Sequence, residues 1–294
     1  QNQRGAIINN VAFPTADAEF VAEYTVAMSN PSVFGAGDGF NVMFFDGTQP
    51  LPPNLGGRGG AFSYTPHGTL GDAGIRYGVF EVAFDIWGGH GSDPNNGTVS
   101  CPGIGANVVT VRGSGDGVAA PSAAYPCLTT AAMPFDLSIH GRANPAKLRV
   151  AIITEGAQKL LSVQMDDGIN GFQTVIDRYD ISAAVVLPAA LRIGFAGTSG
   201  GAFQAQNEIR DMVISMPGKQ YWRAFSFDTS AVPACATELR VVSQVDVTIM
   251  DDTQTKPGGD NDIEHQLMLV NAVTGQVYDT SNIKSAPLKI ENTY

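Results

Sequence analysis

Charge is scarce in this chain of 294 residues: Asp, Glu, Lys and Arg together make up 15% of it, with 17 basic residues against 28 acidic ones. The resulting net charge of −11 repels phosphate backbones and anionic lipid, so nucleic acid and membrane surfaces are poor partners. The acidic excess suits secretion and calcium binding, but plain solubility is the favoured reading. No run approaches the roughly 18 to 20 apolar residues of a membrane span, so membrane insertion is not expected. Cysteine is limited to Cys101, Cys127 and Cys235, and no CxxC or Cys/His spacing points to zinc. The only histidines are His67, His90, His140 and His265. None has a Ser or Cys in a nucleophile-elbow context, since GTSGG lacks the Gly-x-Ser-x-Gly spacing. No signal peptide is visible, so export requires a leader already removed. Long amphipathic helices are missing as well.

What is present is apolar and rich in turns. Hydrophobic residues make up 44% of the chain, with 34 glycines and 17 prolines, which fits a folded all-β protein and not disorder. Short runs alternate with period 2 over 19–28, 40–45, 79–87, 107–113, 147–154, 159–168, 190–197 and 208–215, with Gly, Asp, Asn and Pro between them. KLRVAIITEGAQKLLSVQMDDG reads as a hairpin turning at Glu155–Gly156. Many strands at hairpin spacing without alternating helices predict an antiparallel sandwich or jelly roll. GSGDG (113–117) and GGRGG are not set between a strand and a helix, which argues against phosphate loops. A boundary is expected near 216–220, giving a β-sandwich over 1–216 and a small β-rich extension over 217–294. In that extension 237–253 alternates, 265–280 suggests a hairpin turning at Thr274–Gly275, and TKPGGDND forms an acidic loop. Cys101 and Cys127 bracket a Gly/Pro/Ser-rich excursion; they either close it as a disulfide or remain two thiols, and the secreted-looking composition favours the bridge. Cys235 is left over.

The stretch GAGDGFNVMFFDG (35–47) poses the functional question. Asp38 stands among glycines at the mouth of an apolar strand, either as a turn-former or as a ligand-binding carboxylate. Four segments, RGAIINNVAF (4–13), GAGDGFNVMFF, GVFEVAFDIW followed by SDPNNG, and LRIGFAGTSGGAFQAQNEIRDMVI (191–214), resemble in order the L-type lectin family. That family comprises legume seed lectins, intracellular cargo lectins and secreted bacterial relatives, and the resemblance, closest in style to the bacterial members, covers about residues 1–216. It implies a concanavalin-like jelly roll of two antiparallel sheets with a small C-terminal β extension. It also implies that Asp38 accepts hydrogen bonds from sugar hydroxyls. The glycine-rich loop NLGGRGGAF supplies Gly59 and Gly60, and the variable loop TSGGAFQ supplies Ser199, Gly200 and Gly201, with Phe203 either stacking on a sugar or covering the core.

The resemblance further implies a calcium site. Asp85, the Trp87 carbonyl, Asp93 and Asn95 or Asn96 are its expected ligands, and Asn96 is also a candidate for sugar contact. The chain departs from the family here: Ala83 replaces a glutamate, Gly89 an asparagine that also contacts sugar, and Asn107 the transition-metal histidine. No transition metal is therefore expected. If calcium is absent, the Cys101–Cys127 bridge is a candidate substitute for holding the loop. His90, beside the metal loop, either adds a polar contact or, as its setting favours, is a solvated loop residue, and Asn96-Gly-Thr98 reads as a glycosylation sequon in a eukaryotic secretory host.

Glycosidases share this fold class, and one large family places carboxylates at i, i+2 and i+4 of a strand, here Glu81, Ala83 and Asp85. The middle carboxylate is missing, and i to i+4 on a strand spans roughly 13 Å against the roughly 5 Å of a retaining pair. The expectation is non-catalytic glycan binding, extracellular or at a cell surface and in the service of adhesion, with self-assembly through the C-terminal extension. The alternative is a structural subunit of a surface filament, pilus-like or adhesin assembly with a decayed sugar site. Because the family carries a strand before the RGAIINN segment, either residues precede Gln1 or the extension fills that place.

Overall fold

A computed structural model describes residues 3–15, 19–92, 100–101, 105–119, 124–201, 205–216, 220–222, 265–270 and 277–283. The chain separates into two compact units, Gln1–Ala224 and Phe225–Tyr294. In the first, strands β1 (Gln3–Ile8), β2 (Phe13–Pro14), β3 (Phe20–Ser29), β4 (Gly39–Asp46), β5 (Gly78–Asp85), β6 (Val108–Gly113) and β7 (Cys127–Ala132) are followed by β8 (Ala146–Glu155), β9 (Gln158–Asp166), β10 (Gln173–Asp180), β11 (Ala190–Ser199), β12 (Gln206–Met216) and β13 (Gln220–Trp222). The second contains the antiparallel pair β14 (His265–Val270) and β15 (Val277–Ile283). The expected strand over 237–253, the loop TKPGGDND, the turn at Thr274–Gly275 and Cys235 lie outside the described residues.

Two antiparallel sheets form the sandwich. One is seven-stranded, in the order β1-β11-β4-β5-β6-β7 with β2 also pairing to β11. The other is six-stranded, in the order β10-β9-β8-β3-β12-β13, so pairing continues beyond Met216 through the short strand β13. Between the sheets, Phe44 stacks on Phe80 at 4.3 Å and meets Phe20 edge-on at 6.0 Å, while Tyr24 meets Phe195 at 4.7 Å. Such aromatic pairs add to the burial of the aliphatic residues around them, among them Val42, Val82, Leu148, Val150 and Ile193.

The two sheets read differently in sequence because they are covered differently. β4 is buried from Gly39 to Phe45 and β5 along its whole length. The reason is a second apolar cluster on the outer face of the seven-stranded sheet, where Met43, Phe45 and Ala196 pack under Tyr64, Ile75 and Tyr125 from the connecting loops. FNVMFF is accordingly a nearly continuous apolar run, as expected of a strand buried on both faces. β9 has much of one face open, so its burial fluctuates along the strand. The hairpin at Glu155–Gly156 is present: Glu155 pairs with Gln158, and Gly156 takes a φ of +57°, which a glycine adopts freely.

Strands β7 and β10 are absent from the pattern-based expectation. CLTTAA of β7 is at most partly buried and lacks apolar alternation. β10 shifts register twice against β9, at Thr174/Ile176 and Ile176/Tyr179, and this scrambles the period-2 signal. The cysteine pair closes as expected, with Cys101 bonded to Cys127 at the start of β7. The bridge spans a sequence separation of 26 residues. Reduction is expected to lower unfolding free energy by about 3 kcal/mol through added chain entropy, measurable as a shift of the urea midpoint with and without dithiothreitol.

Candidate functional site

Asp38 enters β4 through a cis Gly37–Asp38 peptide. Its backbone N–H donates to the Thr198 carbonyl on β11 at 2.7 Å, and its carbonyl accepts from Ile86 N just past β5 at 3.0 Å. One residue thereby joins the ends of the strands on either side of β4. The next residue has to be glycine: Gly39 has a φ of +143°, and a Cβ there would stand 2.1 Å from the Phe84 carbonyl oxygen. The carboxylate lies along Gly200, where an added Cβ would be 3.1 Å from Oδ1 and 3.4 Å from Oδ2. Asp38 is 9% exposed, and Oδ2 is out of contact with solvent.

The glycine loop sits on the far side of the turn that follows β5. Gly59–Ala61 form a single 3-10 turn, and a Cβ on Gly60 would lie 3.4 Å from the carbonyl carbon of Gly89. Gly89 opens the short helical turn α1 (Gly89–Ser92). Between them Trp87 donates its indole N–H to the Ala36 carbonyl at 3.0 Å, two residues before Asp38, and leaves 45% of its surface in solvent. Gly200, Asp38, Trp87, Gly89 and Gly60 thus follow one another around one end of the sandwich. Ser199 is directed elsewhere, its Oγ accepting from Gln3 N at 3.3 Å at the edge of the sheet. Gly201 is exposed. Asn96 and Phe203 lie outside the described residues.

Beneath this rim is a buried polar layer. The Asp85 carboxylate is wholly enclosed, with Oδ1 accepting from Trp87 N at 2.9 Å and Gly88 N at 2.8 Å, and Oδ2 from His90 N at 2.7 Å. Burial pushes its carboxyl above the ordinary range, against the pull of these amides. Glu81 sits two places along the same strand face. Its Oε1 is 2.6 Å from His90 Nε2, and its Oε2 accepts from Asn41 Nδ2 at 2.5 Å. Asn41 Nδ2 also reaches the Phe62 carbonyl at 2.7 Å, and Asn41 Oδ1 accepts from Ala196 N at 3.1 Å. Arg112 donates to the His90 carbonyl at 2.6 Å and to the Tyr125 carbonyl at 2.9 Å.

No protein-family model and no curated protein matches the chain. Solved structures do match. Lectin I-B4 from Griffonia simplicifolia, in its metal-free form, is 14% identical over 74% of this chain and 81% of that one, with a TM-score of 0.50. The Lotus tetragonolobus seed lectin is 15% identical over 76% of this chain and 84% of that one, with a TM-score of 0.51. The fold is the legume-lectin jelly roll. At these identities the likeness speaks for the fold alone.

On that legume-lectin frame, the described members of the expected calcium site are Asp85 and Trp87. Asp85 spends both carboxylate oxygens on backbone amides, and the Trp87 indole, though not the carbonyl expected as a ligand, is tied to Ala36. Among the described residues no group of three or more His, Cys, Asp or Glu converges to hold a metal. Asp93 and Asn95, the other expected ligands, lie outside them. Asn107 is a backbone link, donating from N to the Ile86 carbonyl at 2.9 Å. Glu81 and Asp85 do share a strand face, but both are shut off from solvent with their oxygens engaged. They form no glycosidase pair, because a substrate could reach neither.

One reading from sequence is corrected. His90 is no solvated loop residue: it is fully buried, bonded through Nε2 to Glu81 and through Nδ1 to the Gly60 carbonyl at 2.7 Å, with its ring 5.0 Å from that of Phe62. Its neighbours in sequence are glycines, so no local pattern marks it as buried. The exposed indole of Trp87 was missed as well, because the family pattern draws attention to that residue's carbonyl. Replacing Asp85 by Ala would strand the amides of Trp87, Gly88 and His90, the last two buried, and is expected to cost about 3 kcal/mol, read as a lower urea midpoint. Gly39→Ala is expected to be at least as damaging, because a Cβ there would meet backbone, which cannot yield as a side chain can.

Proposed function

We propose that this protein binds carbohydrate, without catalysing a reaction, at the end of the sandwich where Asp38, Gly200, Trp87 and the Gly59–Gly60 turn adjoin. The observation that carries this reading is the approach of the Asp38 carboxylate to Gly200. An acceptor-only group on a rim without Cβ atoms suits adjacent sugar hydroxyls, which can come close to the backbone there. The Trp87 indole, held by Ala36 and 45% exposed, offers an apolar plane to the C–H face of a sugar ring. Gly60 lines the opposite side, while Ser199 supports the edge strand β1 through Gln3. That both fold neighbours are named lectins agrees with this reading.

A shallow site of this kind binds single sugars weakly, so useful avidity comes from repetition on a surface or in an oligomer. We place the protein outside the cell or at its surface, in adhesion, with the region beyond residue 216 as an extension serving self-assembly. The net charge of −11 opposes nucleic acid as a partner, and no helix among the described residues is long and apolar enough to cross a membrane. The extent of Asp38 burial favours a second reading, in which the sandwich is a rigid block of a surface filament or adhesin stalk and its sugar site has decayed.

A glycan array separates the two. Binding to a defined set of glycans, reduced about tenfold or more by Asp38→Ala and again by Trp87→Ala, is the expected outcome, in line with the loss of a charged hydrogen-bond acceptor. An array that stays dark across neutral and acidic glycans, in calcium as in chelator, assigns the protein to the scaffold reading.

A further inference from the structure

The turn after β5 and the glycine loop facing it carry the proposed sugar rim, and neither belongs to a strand. Something must fix them. We propose that Glu81 and His90 are positioning residues that hold the Gly59–Gly60 loop against the 87–91 turn, an arrangement held by protein groups alone with no metal ion at its centre. This rests on the carbohydrate reading only for its consequence, not for the clamp itself.

The argument starts from the imidazole. Nδ1 faces the Gly60 carbonyl, which only accepts, so Nδ1 carries a proton. Nε2 faces Glu81 Oε1 at 2.6 Å, and one proton lies between them whichever atom holds it. The ring therefore ties the loop, through Gly60, to the middle of β5, through Glu81. Glu81 cannot swing away, because Asn41 on β4 holds its other oxygen and is itself fixed by Ala196 N and the Phe62 carbonyl.

The rest of the turn is fixed with similar economy. Asp85 takes the amides of Trp87, Gly88 and His90. Arg112 takes the His90 carbonyl. Cys101 N donates to the Gly91 carbonyl at 2.7 Å, and its side chain is bonded to Cys127 on β7. Side chains from β5 and β6, with Cys101, thus take the Trp87, Gly88 and His90 amides, the His90 ring and the His90 and Gly91 carbonyls, groups that a bound cation would otherwise help to order. Buried hydrogen bonds of this kind are costly to break, which is the property a clamp requires. Ala83 stands between Glu81 and Asp85, where a third carboxylate would crowd two buried acids that already have partners.

The test uses the full chain. Thermal unfolding in calcium and in chelator is expected to differ by less than about 1 °C, because no ion binds the folded state preferentially. Glu81→Gln retains an oxygen for Asn41 and offers an N–H to a neutral His90, so it should preserve hydrogen-exchange protection at 59–62 and 87–91. Glu81→Leu keeps the volume but leaves His90 Nε2 and an Asn41 N–H without their partner, and should raise exchange in those two segments by about tenfold or more while the β8–β9 hairpin stays protected. Glycan binding should follow the same order, retained in Glu81→Gln and lost in Glu81→Leu. A calcium-dependent rise of several degrees that chelator reverses would overturn the proposal, as would unchanged exchange in Glu81→Leu. If Glu81→Leu does not fold, the chelator comparison and the Glu81→Gln rescue still decide. If no glycan binds the unaltered protein, the carbohydrate reading fails, while melting and exchange still judge the clamp.

Discussion

Burial of β4 and β5 on both faces is the constraint from which the rest of the structure follows. A strand covered on one side can point polar side chains at water. Here the outer face of the seven-stranded sheet is roofed by the loops carrying Tyr64, Ile75 and Tyr125, so charged and amide side chains on it need partners inside the protein. Asn41, Glu81, Asp85 and Arg112 find them by reaching for loop backbone and for His90. The layer that satisfies the sheet also shapes the loops, and a candidate ligand rim comes to rest on a fully buried hydrogen-bond network.

This arrangement accounts for how the chain departs from the lectin pattern it resembles. Where Ala83 and Gly89 stand, the family pattern supplies metal and sugar contacts; here His90 bonds to Glu81, and the Cys101–Cys127 disulfide follows 11 residues after His90. In the proposed clamp, buried side chains that already carry donors and acceptors organise the backbone carbonyls and amides of the turn. This requires neighbouring strands to contribute, and β4, β5, β6 and β7 all do.

The rim itself combines freedom and fixity. Gly39 allows the chain to pass under Phe84, Gly200 lets the Asp38 carboxylate lie against bare backbone, and Gly60 closes onto Gly89. Around these glycines the side chains are pinned: Asp38 through its backbone to β11 and to Ile86, Trp87 through its indole to Ala36. Rigid supports under an exposed ring and a largely buried carboxylate suit the proposed shallow site, since little binding energy is then spent on ordering it.

Period-2 alternation and turn residues in the sequence determined the all-β class, most strands of the sandwich and the β8–β9 hairpin, because these depend on local steric preference and on which face of a strand meets the core. Composition around Cys101 and Cys127 pointed to their bridge. Asp38 could be picked out because a carboxylate between glycines is conspicuous wherever it falls. Tertiary structure alone decided that Asp85 serves amides, that His90 is buried against Glu81, and that Trp87 shows its indole to solvent. Those outcomes depend on residues tens of positions apart meeting beneath a roof of loops, and no local pattern in the chain records which polar group will find which partner there.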